Sequence, residues 1–212
     1  VRLFKYRVYF FLLAAFSLTL LGCVKVPLPE EVQIKKDITT PPVTYGLEDD
    51  SGNVLGFATP INENILVAPD HLRQSEETLY FQNKAIEILA RDFRHDLLFF
   101  KVEDLTFESV PVWSNKPPGA GQRLSWDSSE AKNEATVFST RSSFDLGSTV
   151  IEDTMEIKAI VLPGDSGKPL YDPVSHTIYG MLIATDALKG VSHFIRSDEV
   201  LTLAKEYLNT LY

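Results

Sequence analysis

The pattern of apolar and polar positions divides the chain into stretches of different character. Residues 8–21 form one uncharged, mostly apolar run. Residues 24–42 show no apolar period and hold Pro27, Pro29, Pro41 and Pro42 among charged side chains, the composition of an extended tether. From Val43 the chain changes to short runs rich in β-branched and aromatic residues, separated by turn-forming clusters. The runs at 43–47, 54–59, 65–68, 79–82, 86–91 and 97–102 predict strands, with Asp50, Ser51, Gly52 and Asn53 as one turn and Asn62, Glu63 and Asn64 as another. Six short strands of this kind predict a first small barrel. Residues 111–121, rich in Pro and Gly, read as a connection. Runs at 123–126, 136–139, 150–151, 156–161, 169–171, 178–185 and 191–195 predict a second barrel. The expected class is therefore all-β, with two packed antiparallel barrels. Ser197 is placed to cap a helix over 198–211, whose apolar positions Val200, Leu201, Leu203, Ala204, Tyr207, Leu208 and Leu211 recur at helical spacing and read as core packing.

Arg2, Lys5 and Arg7 precede the uncharged run, and Leu20, Leu21, Gly22 and Cys23 follow its core. A basic start before a short apolar run is a secretory signal rather than an element of the fold. The run falls short of the roughly 20 residues that span a bilayer. Leu20 to Cys23 resembles the lipobox of bacterial lipoproteins; the plainer alternative is an ordinary cysteine closing a signal helix. The resemblance implies that the Cys23 thiol receives a diacylglyceryl group and becomes residue one after cleavage. The expected organisation is a signal peptide at 1–22, a tether at 23–42 and one domain at 43–212, with lobes at about 43–110 and 119–196. The expected location is the bacterial cell envelope, lipid-anchored through Cys23 and facing periplasm or exterior, because two acyl chains anchor stably where one does not. Val24, in place of an aspartate, resembles a signal that permits transfer to an outer membrane.

Charge narrows the partners. Residues 1–22 hold three of the 20 basic residues and none of the 29 acidic ones, so the remainder carries 17 against 29, a net charge of −12. A surface of that sign excludes nucleic acid as a partner. Cys23 is the single cysteine, so no intrachain disulfide forms and stability must come from the core. No two histidines lie at i, i+4 around a glutamate, so no metal and no cofactor are expected. Oligomeric state is left open.

The most informative chemistry lies at Gly164, Asp165, Ser166, Gly167, Lys168, Pro169 and Leu170. A serine on a glycine-flanked turn lets its hydroxyl and nearby amides approach a substrate carbonyl, the layout of a nucleophile with an oxyanion hole. Upstream, an apolar run from Ile65 to Ala68 leads through Pro69 and Asp70 into His71, and Asp96 leads the apolar run at 97–102. These three segments, in the order His, Asp, Ser, resemble the trypsin-like (chymotrypsin-fold) serine peptidases. The segment 153–184 resembles the corresponding region of the bacterial high-temperature-requirement type. Other serine hydrolase folds place the same partners in other orders.

The resemblance implies two six-stranded antiparallel barrels, no cofactor, and protein or peptide substrates. It assigns Ser166 as nucleophile, His71 as general base and Asp96 as the group that orients the imidazole, with the backbone N–H groups of Gly164 and Ser166 as the oxyanion hole. It places Ile160, six residues before the serine, at the base of the primary specificity pocket, with Leu182, Ile183 and Ala184 near its wall. That lining predicts a small or medium apolar P1 side chain. His95, His176 and His193 read as loop or surface residues.

Three features depart from the family's pattern. Lys168 stands where the serine motif carries a second glycine. Asp165 matches an aspartate that in trypsin pairs with a freed α-amino group, but this chain shows no Ile-Val-Gly-Gly. Either cleavage near Lys35 and Lys36 frees an apolar terminus around Ile38, or some side chain or solvent meets the carboxylate directly. Asp70, next to His71, either perturbs the histidine or points into solvent. The expected function is a membrane-tethered serine endopeptidase. The rivals are a catalytically silent peptide-binding or envelope-interaction lipoprotein and an esterase using the same serine.

Overall fold

The computed structural model describes residues 40–73, 78–128, 131–145, 147 and 149–208. The proposed signal, lipidation and tether positions up to residue 39, Cys23 among them, lie outside the described residues. In the first lobe, β1 (Tyr45–Glu48), β2 (Val54–Pro60), β3 (Leu66–Pro69), β4 (Tyr80–Phe81), β5 (Lys84–Ala85), β6 (Glu87–Asp92) and β7 (Leu97–Lys101) form an antiparallel sheet in the order β5-β4-β1-β2-β3-β7-β6. The sequence predicts six strands here and seven are found among the described residues. The extra one arises because Ile86 interrupts what is otherwise a single stretch. β5 pairs with β4 while β6 pairs with β7, so this bent stretch joins both ends of the sheet and wraps it.

The second lobe is a closed six-stranded barrel of β8 (Arg123–Asp127), β9 (Lys132–Asp145), β10 (Val150–Ile157), β11 (Pro169–Tyr171), β12 (Ile178–Asp186) and β13 (Val191–Arg196). The separate runs expected at 150–151 and 156–161 are one strand that stops at Ile157, and the run at 136–139 is the middle of the much longer β9. Helix α1 (Ser197–Leu208) follows β13 directly. The Ser197 hydroxyl, expected to cap the helix, is buried with no hydrogen-bond partner among the described residues. Asp198 and Glu199 in the first turn bind the Arg196 guanidinium instead.

Strand alternation sorts the side chains into three cores. Leu66, Ala68, Leu98 and Phe100 point into the first lobe with Leu47, Phe81 and Phe107. Met155, Ile157, Leu170, Leu182 and Phe194 fill the second barrel. The alternate positions Val67, Leu97 and Phe99 face the other way, where they meet Met181, Ile183 and Ile195 and the helix residues Val200, Leu203, Ala204 and Leu208. β3 and β7 are thus buried on both faces, which is why their sequences are continuous apolar runs rather than alternating ones. Burying each such side chain stabilises the fold by about 1.5–3 kcal/mol. The helix stripe acts as the expected core packing, joining the lobes.

Candidate active site

β3 and β7 position the first two site residues. They are antiparallel, with Pro69 opposite Leu97, so the chain leaving β3 and the chain entering β7 lie side by side. A 3₁₀ turn, Asp70–Leu72, carries His71 just past the end of β3, and Asp96 sits just before β7. Asp96 has a left-handed backbone (φ +56°), a conformation aspartate tolerates because its short polar side chain bonds locally. Its carbonyl accepts the Asp70 N–H at 3.0 Å and its Oδ1 accepts the His71 N–H at 2.8 Å. Its Oδ2 accepts from His71 Nδ1 at 2.5 Å. Asp96 is 4% exposed and His71 34%, so the carboxylate end of this pairing is sheltered from water.

Ser166 comes from the second lobe, in the loop between β10 and β11. Gly164 and Gly167 both have φ +91°. At Gly167 a Cβ would lie 1.8 Å from the Phe57 carbonyl oxygen, so no side chain fits there. The serine loop is stitched to both lobes: the Phe57 N–H donates to the Ser166 carbonyl at 2.8 Å, and the Gly167 N–H donates to the Leu182 carbonyl at 2.8 Å. Ser166 Oγ lies 3.3 Å from His71 Nε2. His71, Asp96 and Ser166 are therefore brought into one hydrogen-bonded line across the lobes. With the Nδ1 proton held by Asp96, Nε2 is left as an acceptor for the serine hydroxyl.

The loop amides divide in two. The N–H groups of Asp165 and Lys168 are used within the loop, on Leu162 and Asp165 carbonyls at 3.2 and 3.1 Å, and that of Gly167 by Leu182. Those of Gly164 and Ser166, the two expected in an oxyanion hole, have no acceptor among the described residues.

The two aspartates left open by the sequence both find cations. Lys168 Nζ donates to Asp165 Oδ1 at 2.6 Å, with both side chains less than a tenth exposed. The same ammonium lies 4.5 Å from the centre of the Phe57 ring. Asp70 does not face solvent: it is buried and gripped by Arg91 Nε and an Nη at 2.6 and 2.9 Å. That hydrogen bond, ahead of the opposing effect of burial, holds the Arg91 guanidinium above its ordinary pKa.

Beside Ser166 is a cavity of about 310 Å³ lined by Ile160, Leu162, Leu182, Ala184, Thr185 and Ala187, among others. Ile160 and Ala184 both line it, but Ile160 is 56% exposed and stands at the rim, not the base expected of it. β10 ends at Ile157, and in the irregular segment that follows it is Val161, 2% exposed, that turns inward.

Sequence reasoning missed the support behind Asp96. Asp92, at the end of β6, accepts the N–H groups of Arg94 and His95 and the His95 ring at 2.9, 3.0 and 3.1 Å, and its other oxygen accepts the Tyr207 hydroxyl at 2.9 Å. Burial pushes the Asp92 carboxyl up, but these hydrogen bonds outweigh it and hold the group below the usual carboxylate range. The same bond to Asp92 raises the Tyr207 phenol. An aspartate followed by a short polar turn was a visible signal for this cap; its distant partner Tyr207 had none. His95 is therefore a loop residue as read. His193 is not at the surface: it is 1% exposed on β13, covered by Phe144 at 4.5 Å, and burial lowers its pKa.

No family model matches the sequence, and no curated protein matches it. Solved structures do. The protease domain of MamO from Magnetospirillum magneticum, in its apo form, superposes with a TM-score of 0.60 at 16% identity, over 78% of this chain and 96% of that one. The active form of the Rv3671c protease from M. tuberculosis gives 0.59 at 19% identity, over 79% and 82%. Cellulomonas bogoriensis chymotrypsin gives 0.57 at 12% identity, over 75% and 92%. These likenesses establish the chymotrypsin-like fold of the serine proteases.

Proposed function

We propose that this protein is a serine endopeptidase tethered to a membrane by lipidated Cys23. The observation that supports the activity is the line Asp96–His71–Ser166, closed at 2.5 and 3.3 Å by residues from two lobes. Ser166 Oγ attacks the scissile carbonyl carbon while His71 Nε2 takes its proton, and Asp96 stabilises the imidazolium that forms. The carbonyl oxygen, now negative, is received by the N–H groups of Gly164 and Ser166, which have no acceptor to give up among the described residues. The C–N bond then breaks as His71 returns the proton to the leaving amine. Water, deprotonated by His71, attacks the acyl-enzyme and releases the acid and Ser166. The apolar wall of Leu162, Leu182 and Ala184 beside the serine favours a small or medium apolar P1 residue.

The high-temperature-requirement likeness and the envelope location rest on sequence: the serine segment for the first, and the Leu20–Cys23 motif for the second. A fluorophosphonate probe applied to the protein and to Ser166→Ala, followed by mass mapping, tests the activity. Modification at Ser166 alone is the expected result; a folded protein that stays unlabelled removes the reading of an assembled, active triad and favours a silent peptide-binding module over a latent enzyme. For the tether, Cys23→Ala should lose its lipid mass and leave the detergent phase, and a variant that still partitions with unchanged mass removes that part of the proposal.

A further inference from the structure

Lys168 occupies a position that nothing in the proposed chemistry uses, yet it is buried beside the reacting groups. Its side chain and that of Asp165 are 8% and 9% exposed, and their 2.6 Å contact spans Ser166 and Gly167. A buried carboxylate without a cation is strongly disfavoured, so Asp165 turns inward only because Lys168 meets it. The inward turn has a direct consequence for the backbone. With Asp165 turned inward, its N–H donates to the Leu162 carbonyl and its carbonyl accepts the Lys168 N–H, while the flanking amides of Gly164 and Ser166 have no acceptor among the described residues. The ammonium also sits 4.5 Å from the Phe57 ring centre, and Phe57 holds the Ser166 carbonyl from the other lobe. One cation thus ties the loop to itself and to the neighbouring lobe.

We propose that Lys168 is a positioning residue, an internal latch that fixes the Gly164 and Ser166 amides as donors in the uncut chain. The inference rests on the peptidase reading above for its kinetic effect, but not for its structural one. The pair is complete within a four-residue segment, so no amino group released by cleavage is needed to assemble the loop.

Two measurements on the full chain separate the latch from the peptidase reading. Hydrogen exchange needs no activity: Lys168→Met should raise exchange in peptides covering 162–168 at least tenfold while helix α1 stays unchanged, whereas unchanged loop protection overturns the latch. Hydrolysis of a peptide anilide with valine at P1 gives the second. Lys168→Met should lower kcat by about 10²-fold, the scale of losing an oxyanion donor, with KM within threefold, and Lys168→Arg should recover at least tenfold of that loss. Loss confined to KM overturns the proposal. Because Lys168→Met leaves a buried charge, the neutral pair Asp165→Asn with Lys168→Met is the companion variant: it should fold yet keep the low kcat, and recovery of the starting kcat overturns the latch. Intact-mass analysis closes the test. Full activity in an uncut chain is expected; activity that appears only after cleavage overturns it. If the unaltered protein resists the fluorophosphonate probe, the peptidase reading fails while hydrogen exchange still decides on Lys168.

Discussion

The two loops that meet at the candidate site are held by different means. On the first lobe, His71 and Asp96 extend from adjacent ends of β3 and β7, and several separate hydrogen bonds fix them: Asp96 on two backbone N–H groups, Asp92 on two more and on Tyr207, and Asp70 on Arg91. On the second lobe, Ser166 rides a loop turned by two glycines in the left-handed region and held inward by one buried ion pair. Redundant hydrogen bonds contribute about 1 kcal/mol each and fail one at a time. Breaking a buried ion pair by removing one partner costs about 3–5 kcal/mol at once. The first lobe therefore offers a tolerant platform of many comparable bonds, and the second a loop in which one ion pair outweighs each of the backbone hydrogen bonds that also hold it.

The sharpest way to break this comparison is at the proposed triad, where both lobes should be indispensable. Ser166→Ala is expected to lower kcat on the order of 10⁶-fold, measured on the valine anilide with probe labelling as a control for residual enzyme. Asp96→Asn, which leaves the geometry but misorients the histidine tautomer, should lower kcat by about 10⁴-fold. A loss below tenfold there would mean that Asp96 is only a structural cap. Away from the chemistry, the lobes should diverge. Gly167→Ala combines a left-handed backbone with a Cβ 1.8 Å from the Phe57 oxygen, and should destabilise the fold by about 4 kcal/mol in urea unfolding.

Tyr207→Phe probes the tolerant side and should cost only about 1.5 kcal/mol, with kcat reduced severalfold at most. Its pH dependence has a definite sign. Asp92 is held below its ordinary pKa, so its contribution is complete above about pH 4 and is lost as pH falls through the folded value. Tyr207 is raised, so its contribution holds below about pH 10 and is lost as pH rises through the folded value. The stability gap between the protein and Tyr207→Phe should therefore narrow at both ends, and a gap that is flat from pH 3 to 11 would show that the bond is not formed in solution. The smallest effect is expected at the cavity rim. Ile160→Ala, already half exposed, should reduce kcat/KM for apolar P1 by roughly fourfold, about one methylene of burial.

Much of this arrangement was legible in the sequence. The strand pattern, the terminal helix and the three site residues with their two candidate amides could be named from residue type and order. The paired continuous runs at 65–68 and 97–102 even contained the reason that His71 and Asp96 meet, since strands buried on both faces carry no alternation and lie centrally in the fold. What was illegible has a common cause. Asp165 was recognised as needing a partner, and Lys168 as out of pattern, but an i, i+3 pairing in a loop has no fixed geometry from which to join the two. Ile160 was assigned by register, which fails where a strand ends early. His193 was read as a loop or surface residue although it falls in the run 191–195 expected as a strand, and its burial depends on Phe144 in a strand distant along the chain.

The sequence by itself determined the β-rich class, the break into lobes, the candidate site residues and the sign of the net charge, because local propensity, periodicity and composition are properties of neighbouring residues. Tertiary structure alone decided which cation meets each buried aspartate, which loop amides keep no acceptor among the described residues, and that Tyr207 braces the segment before Asp96 across 115 positions of chain. Those outcomes depend on hydrogen-bond satisfaction and desolvation in three dimensions, where the competing partners are set by the packing of distant elements rather than by the order of the chain.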